Sequence, residues 1–220
     1  MSGVFEGKTT GTPISIVIRN TDQRSHDYSN IMDVYRPGHA DYTFDEKYGF
    51  RDYRGGGRSS GRETIGRVAA GAIAAKLLES LGITVQAYTS AVGPVKIDHS
   101  HMDMEEISKN RLYMPDKAAA AEAESYMEDM MQRRDSCGGV VECVIRGLPA
   151  GVGEPVFDKL DAALGKAVMS IGAVKGFEIG DGFEAAASLG SRNNDSFVIG
   201  KDKKNAKSDQ PFRRYLRRYE

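Results

Sequence analysis

The 220-residue sequence contains no tryptophan, only two cysteines and no long uninterrupted run of apolar residues. Two cysteines are too few for a disulfide framework, so we expect Cys137 and Cys143 to be buried free thiols in a reducing compartment. No secretory signal or membrane-spanning segment is recognisable, because the first residues are polar and no apolar stretch is long enough. These features predict a cytoplasmic protein without a membrane partner.

The sequence also lacks a dominant sign of charge. It has 30 Lys and Arg against 31 Asp and Glu, which gives a formal net charge of −1. This balance gives no reason to expect nucleic acid as a partner. The length is sufficient for one large domain or two small ones with a real apolar core.

What the sequence does have is a glycine- and arginine-rich stretch, residues 54–64, that leads into an alanine-rich segment. Ser60 and Glu63 match the capping-box pattern of a helix start. Backbone N–H groups of such a loop, with the guanidinium groups of Arg58 and Arg62, suit phosphates or carboxylates. The alternative is a solvated turn that only starts a helix. No Gly-Lys-Ser/Thr follows the glycines, which excludes a Walker P-loop and argues against nucleotide hydrolysis.

Periodicity and turn residues predict a chain that mixes helices and sheets. Apolar residues at helical spacing predict helices over residues 61–80, 117–134 and 155–170. Apolar runs bounded by turn residues predict strands over 14–19, 83–92, 139–147 and 173–179. Residues 21–53 show no helical period, but their many aromatic rings favour a functional loop over disorder. The first helix should bury six residues: Ile65, Val68, Ala69, Ala72, Ile73 and Leu77.

Three histidines are candidates for chemistry. His39 lies in Arg36-Pro-Gly-His-Ala-Asp41, and a free imidazole titrates near neutrality, so His39 could act as an acid or base. The alternative is a loop histidine with satisfied hydrogen bonds. His99 and His101 are one residue apart, but no third ligand is fixed nearby, so we expect polar surface residues and no metal site.

Several longer motifs accompany this one in a definite order. They begin at Lys47 (Lys-Tyr-Gly-Phe-Arg-Asp-Tyr-Arg-Gly-Gly-Gly-Arg-Ser-Ser-Gly-Arg-Glu-Thr) and at Asp135 (Asp-Ser-Cys-Gly-Gly-Val-Val-Glu). Others begin at Gly151 (Gly-Val-Gly-Glu-Pro-Val-Phe-Asp) and at Ser170 (Ser-Ile-Gly-Ala-Val-Lys-Gly-Phe-Glu-Ile-Gly-Asp-Gly-Phe). Together these motifs resemble chorismate synthase, and the likeness covers nearly all of residues 3–207.

The resemblance implies a fold, a reaction and a cofactor. The fold would be α+β, an incomplete β-α-β sandwich of the chorismate synthase type, in subunits that form a homotetramer. The reaction would be the anti 1,4-elimination of phosphate from 5-enolpyruvylshikimate 3-phosphate to give chorismate, in the shikimate pathway of aromatic amino acid biosynthesis. Reduced FMN would be the cofactor, and NADPH would be needed only if the flavin is reduced in cis.

The resemblance also implies roles for particular residues. His39 matches a histidine assigned to proton transfer, and Arg36 matches an arginine at the flavin and substrate site. Arg62 would face the same anionic pocket as a substrate-binding residue. Five residues match flavin contacts: Arg58, Ser59, Ser60, Gly172 and Ala173. No metal ligand is implied.

The family's Gly-Glu-Ser-His and Gly-Arg-His-Asp motifs do not occur in this sequence. Residues 1–208 are therefore expected to be the central part of a single chorismate synthase domain, with weak or no activity alone. The alternative is a non-catalytic remnant of the family that binds flavin or pairs with intact subunits.

The last twelve residues, 209–220, are basic and aromatic and do not resemble the family. Codons compatible with residues 210–219 can be chosen that, read one base later, encode Asn-His-Ser-Gly-Gly-Ile-Leu-Gly-Gly-Met, the family's sequence at this place. We therefore expect an out-of-frame tail, and the coding DNA tests this. The other interpretation of the tail is an RNA-binding segment.

Overall fold

The computed structural model describes residues 2–21, 28–29, 31–54, 60–191, 197–199, 205–207 and 216–219. Within these ranges lie four α-helices, eleven short or medium strands and several 3₁₀ turns. The chain divides into two compact units, Met1–Lys76 and Leu77–Glu220. The mixture of helices and sheets confirms the predicted α+β class. Two compact units can belong to one domain, so the single-domain expectation stays a prediction.

The first unit begins with a small hairpin in which β1 (Val4–Phe5) pairs antiparallel with β2 (Lys8–Thr9). The strand predicted over residues 14–19 is wrong, because within the described part of the chain only Ser15 pairs, in a single bridge with Ser2. An apolar run indicates a preference for extended backbone. A strand also needs a neighbour that takes up its N–H and C=O groups.

Residues 21–53, predicted to lack regular structure, contain helix α1 (Asp41–Tyr48). The helix ends at Gly49, which has a left-handed φ of 76° and donates its backbone N–H to the carbonyl of Asp45 at 2.8 Å. Periodicity could not reveal α1, because its sequence is mostly polar and its rings do not form one apolar stripe.

Helix α2 (Thr64–Ser80) continues from a 3₁₀ turn and confirms the helix predicted over residues 61–80. It ends at Gly82, with φ of 75°, and the N–H of Ile83 donates to the carbonyl of Leu78 at 2.9 Å. The predicted buried face is wrong, because no residue of α2 is buried and Leu77 is 63% exposed. A helix that is apolar on all sides is normally covered. The residues that the structure describes leave α2 uncovered.

The second unit is built on a five-stranded antiparallel sheet with the order β4–β3–β5–β11–β8. Its strands are β3 (Thr84–Val92), β4 (Val95–Lys96), β5 (Gly139–Arg146), β8 (Gly176–Glu178) and β11 (Leu216–Tyr219). The longest pairing joins β3 to β5, with an irregularity between Thr89 and Ala91. β3 and β5 confirm two predicted strands, whereas β8 is shorter than predicted.

Helix α3 (Lys117–Arg133) packs on the sheet through alanines and confirms the helix predicted over residues 117–134. The carboxylate of Asp116 caps it by accepting the N–H groups of Ala118 and Ala119 at 2.9 and 3.2 Å. The core of the unit consists of ten buried residues: Tyr88, Val92, Val95, Ile97, Ile107, Met114, Ala119, Ala120, Ala123 and Val144.

Helix α4 (Leu160–Met169) begins five residues later than predicted. The preceding residues form a hairpin of β6 (Gly153–Glu154) and β7 (Asp158–Lys159). Pro155 therefore lies in the turn of a hairpin and not at the first position of a helix. Proline suits both places, because each requires its fixed φ and neither requires its N–H.

Two pairings involve the last part of the chain. β9 (Phe197–Ile199) pairs antiparallel with β10 (Asn205–Lys207). β11 lies within the predicted out-of-frame tail and pairs antiparallel with both β5 and β8. Strand pairing uses backbone groups that every residue except proline has. It is therefore independent of the reading frame, and the out-of-frame tail stays a prediction.

Replacing Gly147 by alanine should destabilise the second unit. Gly147 has φ of 75°, and an added Cβ would collide with the carbonyl oxygen of Gly82. The left-handed backbone costs about 1–2 kcal/mol for a residue with a Cβ, and the collision adds about 1–3 kcal/mol. The control is Gly151→Ala, at φ of 93° with nothing within 4 Å. Urea unfolding followed by circular dichroism should show a larger loss at Gly147, and equal losses would contradict the close approach.

Candidate active site

A tight turn in the first unit presents His39. The N–H of His39 donates to the carbonyl of Arg36 at 3.3 Å, and Gly38 between them has φ of 71°. This left-handed conformation is what a type II turn requires at its third residue, where glycine has no steric cost. Pro37 supplies the fixed φ of the second residue. The sequence Arg-Pro-Gly-His therefore favours this turn locally.

One hydrogen bond determines the tautomer of His39. Its ring Nδ1 lies 3.0 Å from the carbonyl oxygen of Pro37. A carbonyl oxygen only accepts, so Nδ1 carries the proton and the lone pair of the neutral ring is on Nε2. The ring is exposed, and Nε2 has no hydrogen-bond partner among the described residues. Nε2 is therefore available to take up or give a proton.

Arg36, at the start of the turn, is held by Asp41. The carboxylate accepts from the backbone N–H of Arg36 at 3.0 Å and from its Nε and Nη2 at 2.9 Å each. This is the bidentate geometry that makes arginine–carboxylate pairs strong. The side-chain hydrogen bond from Arg36 holds the pKa of Asp41 well below its usual range, against the opposing effect of burial. The same bond raises the pKa of Arg36.

Arg51 contacts Asp41 from another direction. Its Nη1 lies 3.1 Å from the Asp41 carboxylate, and its Nε lies 3.4 Å from that of Asp45. Its Nη2 donates to three backbone carbonyls, those of Ile31, Met32 and Val34, at 3.1, 2.7 and 2.8 Å. The Arg51 side chain is only 8% exposed. Sequence reasoning did not single out Arg51, because its partners are up to twenty residues away and no local pattern marks them.

The glycine-rich loop is only partly described. Residues 55–59 lie outside the described ranges, and they include the predicted flavin contacts Arg58 and Ser59. The Ser60 hydroxyl accepts the N–H of Arg62 at 3.5 Å, which is a long bond. The carboxylate of Glu63 pairs with Arg67 at 3.2 Å, one helical turn later. Ser60 is therefore a weak cap, and Glu63 takes no part in a capping box.

An open groove of about 940 Å³ lies next to Arg62 in the same unit. Residues 14–21 form one wall and α2 forms the other. The walls are mainly apolar, with side chains from Ile14, Ile16, Ile18, Ile65, Ala69, Ala70 and Ile73. Arg19 and Arg62 add two cations to the lining. The volume is in the range of sites for small organic ligands.

Gly172 and Ala173 lie in the second unit, between α4 and β8. Ala173 has a left-handed φ of 70°, which costs a residue with a Cβ about 1–2 kcal/mol. A Cβ on Gly172 would meet nothing within 4 Å, so the space beside this residue is open. Backbone strain of this kind is concentrated at functional sites.

The second pair of histidines is exposed, and each ring lies near one carboxylate. His101 Nδ1 lies 3.5 Å from the carboxylate of Asp98, and His99 Nε2 lies 4.0 Å from that of Glu142. Among the residues that the structure describes, no three His, Cys, Asp or Glu side chains are grouped to hold a metal ion. Both cysteines are free and half-buried, and burial raises the pKa of the Cys143 thiol.

Comparison with known proteins identifies the family. Residues 1–210 match the family described as chorismate synthase. The chain belongs to the chorismate synthase family. The chorismate synthases of Agathobacter rectalis and Lachnoclostridium phytofermentans are 64% and 65% identical to it over 199 residues. Those 199 residues are 90% of this chain and 54% of each relative, so the chain spans about half the length of the curated relatives it matches.

The fold agrees with this membership. A crystal structure of chorismate synthase superposes with a TM-score of 0.80 at 29% identity, covering all of this chain and 69% of the other. The match to the family ends at residue 210, next to the predicted start of the out-of-frame tail. No helix in the described ranges is both long and apolar enough to cross a bilayer.

Asp41→Asn should remove an acid-sensitive part of the stability of the first unit. The folded state depresses the pKa of Asp41, so its contribution is fully present above the unfolded value of about 4 and is lost as pH falls through the lower folded value. Losing a buried charge of an ion pair costs about 3 kcal/mol at neutral pH. Urea unfolding should therefore show lower stability at neutral pH and a flatter acid dependence, read from the ring proton signals of His39.

The control for this change is Asp52→Asn. Asp52 pairs with Arg54 at 3.5 Å, and its side chain is 48% exposed. An exposed pair of this kind contributes less than about 1 kcal/mol. A similar small effect at both positions would contradict the stabilising role of Asp41.

Proposed function

We propose that this chain carries part of a chorismate synthase active site. It binds reduced FMN and 5-enolpyruvylshikimate 3-phosphate and takes part in the phosphate elimination that gives chorismate. The observation that carries the proposal is the Arg36–His39 turn, which presents a free imidazole Nε2 next to an arginine held in place by Asp41. Membership of the family supports the class of reaction.

The chain's residues suit this chemistry. The reaction breaks a ring C–H bond and the C–O bond to phosphate, and a second ring double bond forms. The substrate carries a phosphate and two carboxylates, which guanidinium groups recognise well, and Arg36 and Arg62 are the proposed contacts. His39 holds or moves a proton at Nε2, because Pro37 keeps the other ring nitrogen protonated.

The donor set also fits FMN. A flavin phosphate needs cations and hydroxyl or N–H donors, and the flavin ring needs an apolar wall with room beside it. Arg62 and the groove of the first unit are features of these kinds. The proposed contacts are Arg58, Ser59, Ser60, Gly172 and Ala173, and Arg36 and Arg62 face the same anionic pocket, shared with the substrate. When bound, reduced FMN supplies electron density as phosphate leaves, and NADPH is needed only if the flavin is reduced in cis.

The 220-residue chain alone is expected to bind flavin better than it turns over. His39 is exposed and the groove is open, so water weakens the electrostatic stabilisation that catalysis needs. The second candidate function is a non-catalytic remnant that binds flavin or pairs with intact subunits in a homotetramer. The exposed apolar surface of α2 favours this candidate, because such a surface normally has a partner.

Titration with FMN tests the proposed site. Arg36→Ala and Arg62→Ala should each raise the Kd about tenfold or more, because each removes a charge-assisted contact. The control is Arg133→Ala in the second unit, whose side chain is 66% exposed and pairs with Asp129 at 2.7 Å. Binding is measured by the quenching of FMN fluorescence. FMN that does not bind, or that binds equally to all three variants, would contradict the proposed site.

An anaerobic assay with reduced FMN measures whether the chain catalyses the reaction alone, which the non-catalytic candidate forbids. The purified chain should form little or no chorismate from 5-enolpyruvylshikimate 3-phosphate. Robust turnover that is lost in His39→Ala would show that the chain is an enzyme by itself. The control variant is His101→Ala, because the His101 side chain is 74% exposed and pairs with Asp98, which is also exposed.

A further inference from the structure

One edge of the Arg36 guanidinium is hydrogen-bonded to Asp41. Its Nε and Nη2 both bind Asp41, and its backbone N–H binds the same carboxylate. The opposite end, Nη1, has no hydrogen-bond partner among the residues that the structure describes. Arg36 therefore offers one fixed end to a ligand, with its direction set by Asp41.

Arg51 contacts residues 31–34, which precede the turn, and Asp41, which follows it. Three carbonyls within residues 31–34 bind its Nη2, and its Nη1 lies beside the carboxylate of Asp41. Its guanidinium also lies 5.2 Å from the ring centre of Tyr35. The segment before the turn and the first residue of α1 are thus held by one side chain.

Apolar packing contributes little to holding this turn. The large side chains near it, Met32, Val34, Tyr35 and Tyr42, are 46–54% exposed. By contrast, the side chains of Asp41 and Arg51 are 9% and 8% exposed. The best-buried groups around the turn are therefore charged, and their geometry decides where the turn lies.

We propose that Asp41 and Arg51 are positioning residues of this site. They hold the free end of Arg36 and the free Nε2 of His39 in a fixed relation, and so set the affinity for an anionic flavin. Asp41 is unsuited to bind the ligand itself, because a buried carboxylate repels a phosphate. A guanidinium that is fixed beforehand loses little rotamer freedom when the ligand binds. The flavin part of this inference rests on the proposed function, whereas the positioning of the turn does not.

The tautomer of His39 reports whether the turn keeps its conformation, because it depends on the contact between Nδ1 and the Pro37 carbonyl. In the wild-type chain, the two ring-nitrogen NMR shifts of His39 should report one neutral form with the proton on Nδ1. Asp41→Asn should give a mixture of tautomers, because Arg36 and the turn lose their bonds to the carboxylate. Arg51→Lys should have the same effect, because an ammonium cannot span three carbonyls and a carboxylate. His39→Gln assigns the signals, and Asp52→Asn is the matched control that should change nothing.

Affinity for FMN is the second readout, measured by fluorescence quenching on variants whose circular dichroism is unchanged. Asp41→Asn should raise the Kd about tenfold. It should add less than about twofold in an Arg36→Ala background, because it acts through Arg36. An additive loss in the double variant, or an unchanged tautomer in both Asp41→Asn and Arg51→Lys, would overturn the inference. If Asp41→Asn does not fold, Arg51→Lys decides alone.

The two proposals can fail separately. An Arg36→Ala variant that binds FMN as the wild type does would overturn the proposed flavin site, while the His39 tautomer would still decide the positioning. Suppose that Arg36→Ala weakens FMN binding. If Asp41→Asn then gives a mixture of His39 tautomers but binds FMN with full affinity, positioning of the turn does not set the affinity.

Discussion

The carboxylate of Asp41 lies between two arginines, and the candidate site of the first unit depends on this contact. A buried charge is tolerated only when it is paired, and Asp41 is paired with Arg36 and Arg51. Arg36 belongs to the turn that presents His39, and Arg51 binds carbonyls within residues 31–34. Removing the carboxylate would leave two cations side by side.

The second unit is held together in another way. Its core is apolar, with small alanines of α3 packed against β3 and β5. It also contains a close backbone approach, in which Gly147 lies against the carbonyl of Gly82. Helix α2 has neither kind of support, because none of its residues is buried. Its alanine-rich sequence favours local helix formation, and its surface is uncovered among the described residues.

Elements that depend on residues close together in the sequence were predicted correctly, whereas features that depend on distant residues were not. Helices α2 and α3 and strands β3 and β5 were predictable, because local periodicity and terminal residues specify them. The segment 14–19 was not, because a strand exists only with a partner. Helix α1 has no apolar stripe to reveal it. The local sequence singled out His39 and the resemblance to the family added Arg36, but the part played by Arg51 depends on contacts made across twenty residues.

The charges of this cluster clarify how the proposed site would work. Arg36 and Arg51 are balanced by Asp41 and Asp45, so the four groups together carry no net charge. A neutral cluster exerts little attraction on an anion at a distance, because fields of opposite sign cancel. Arg36 can then act only at contact range, through its free end. Long-range attraction of a phosphate falls to arginines outside the cluster, such as Arg62 beside the groove. Attraction and orientation would thus be separate tasks of different arginines.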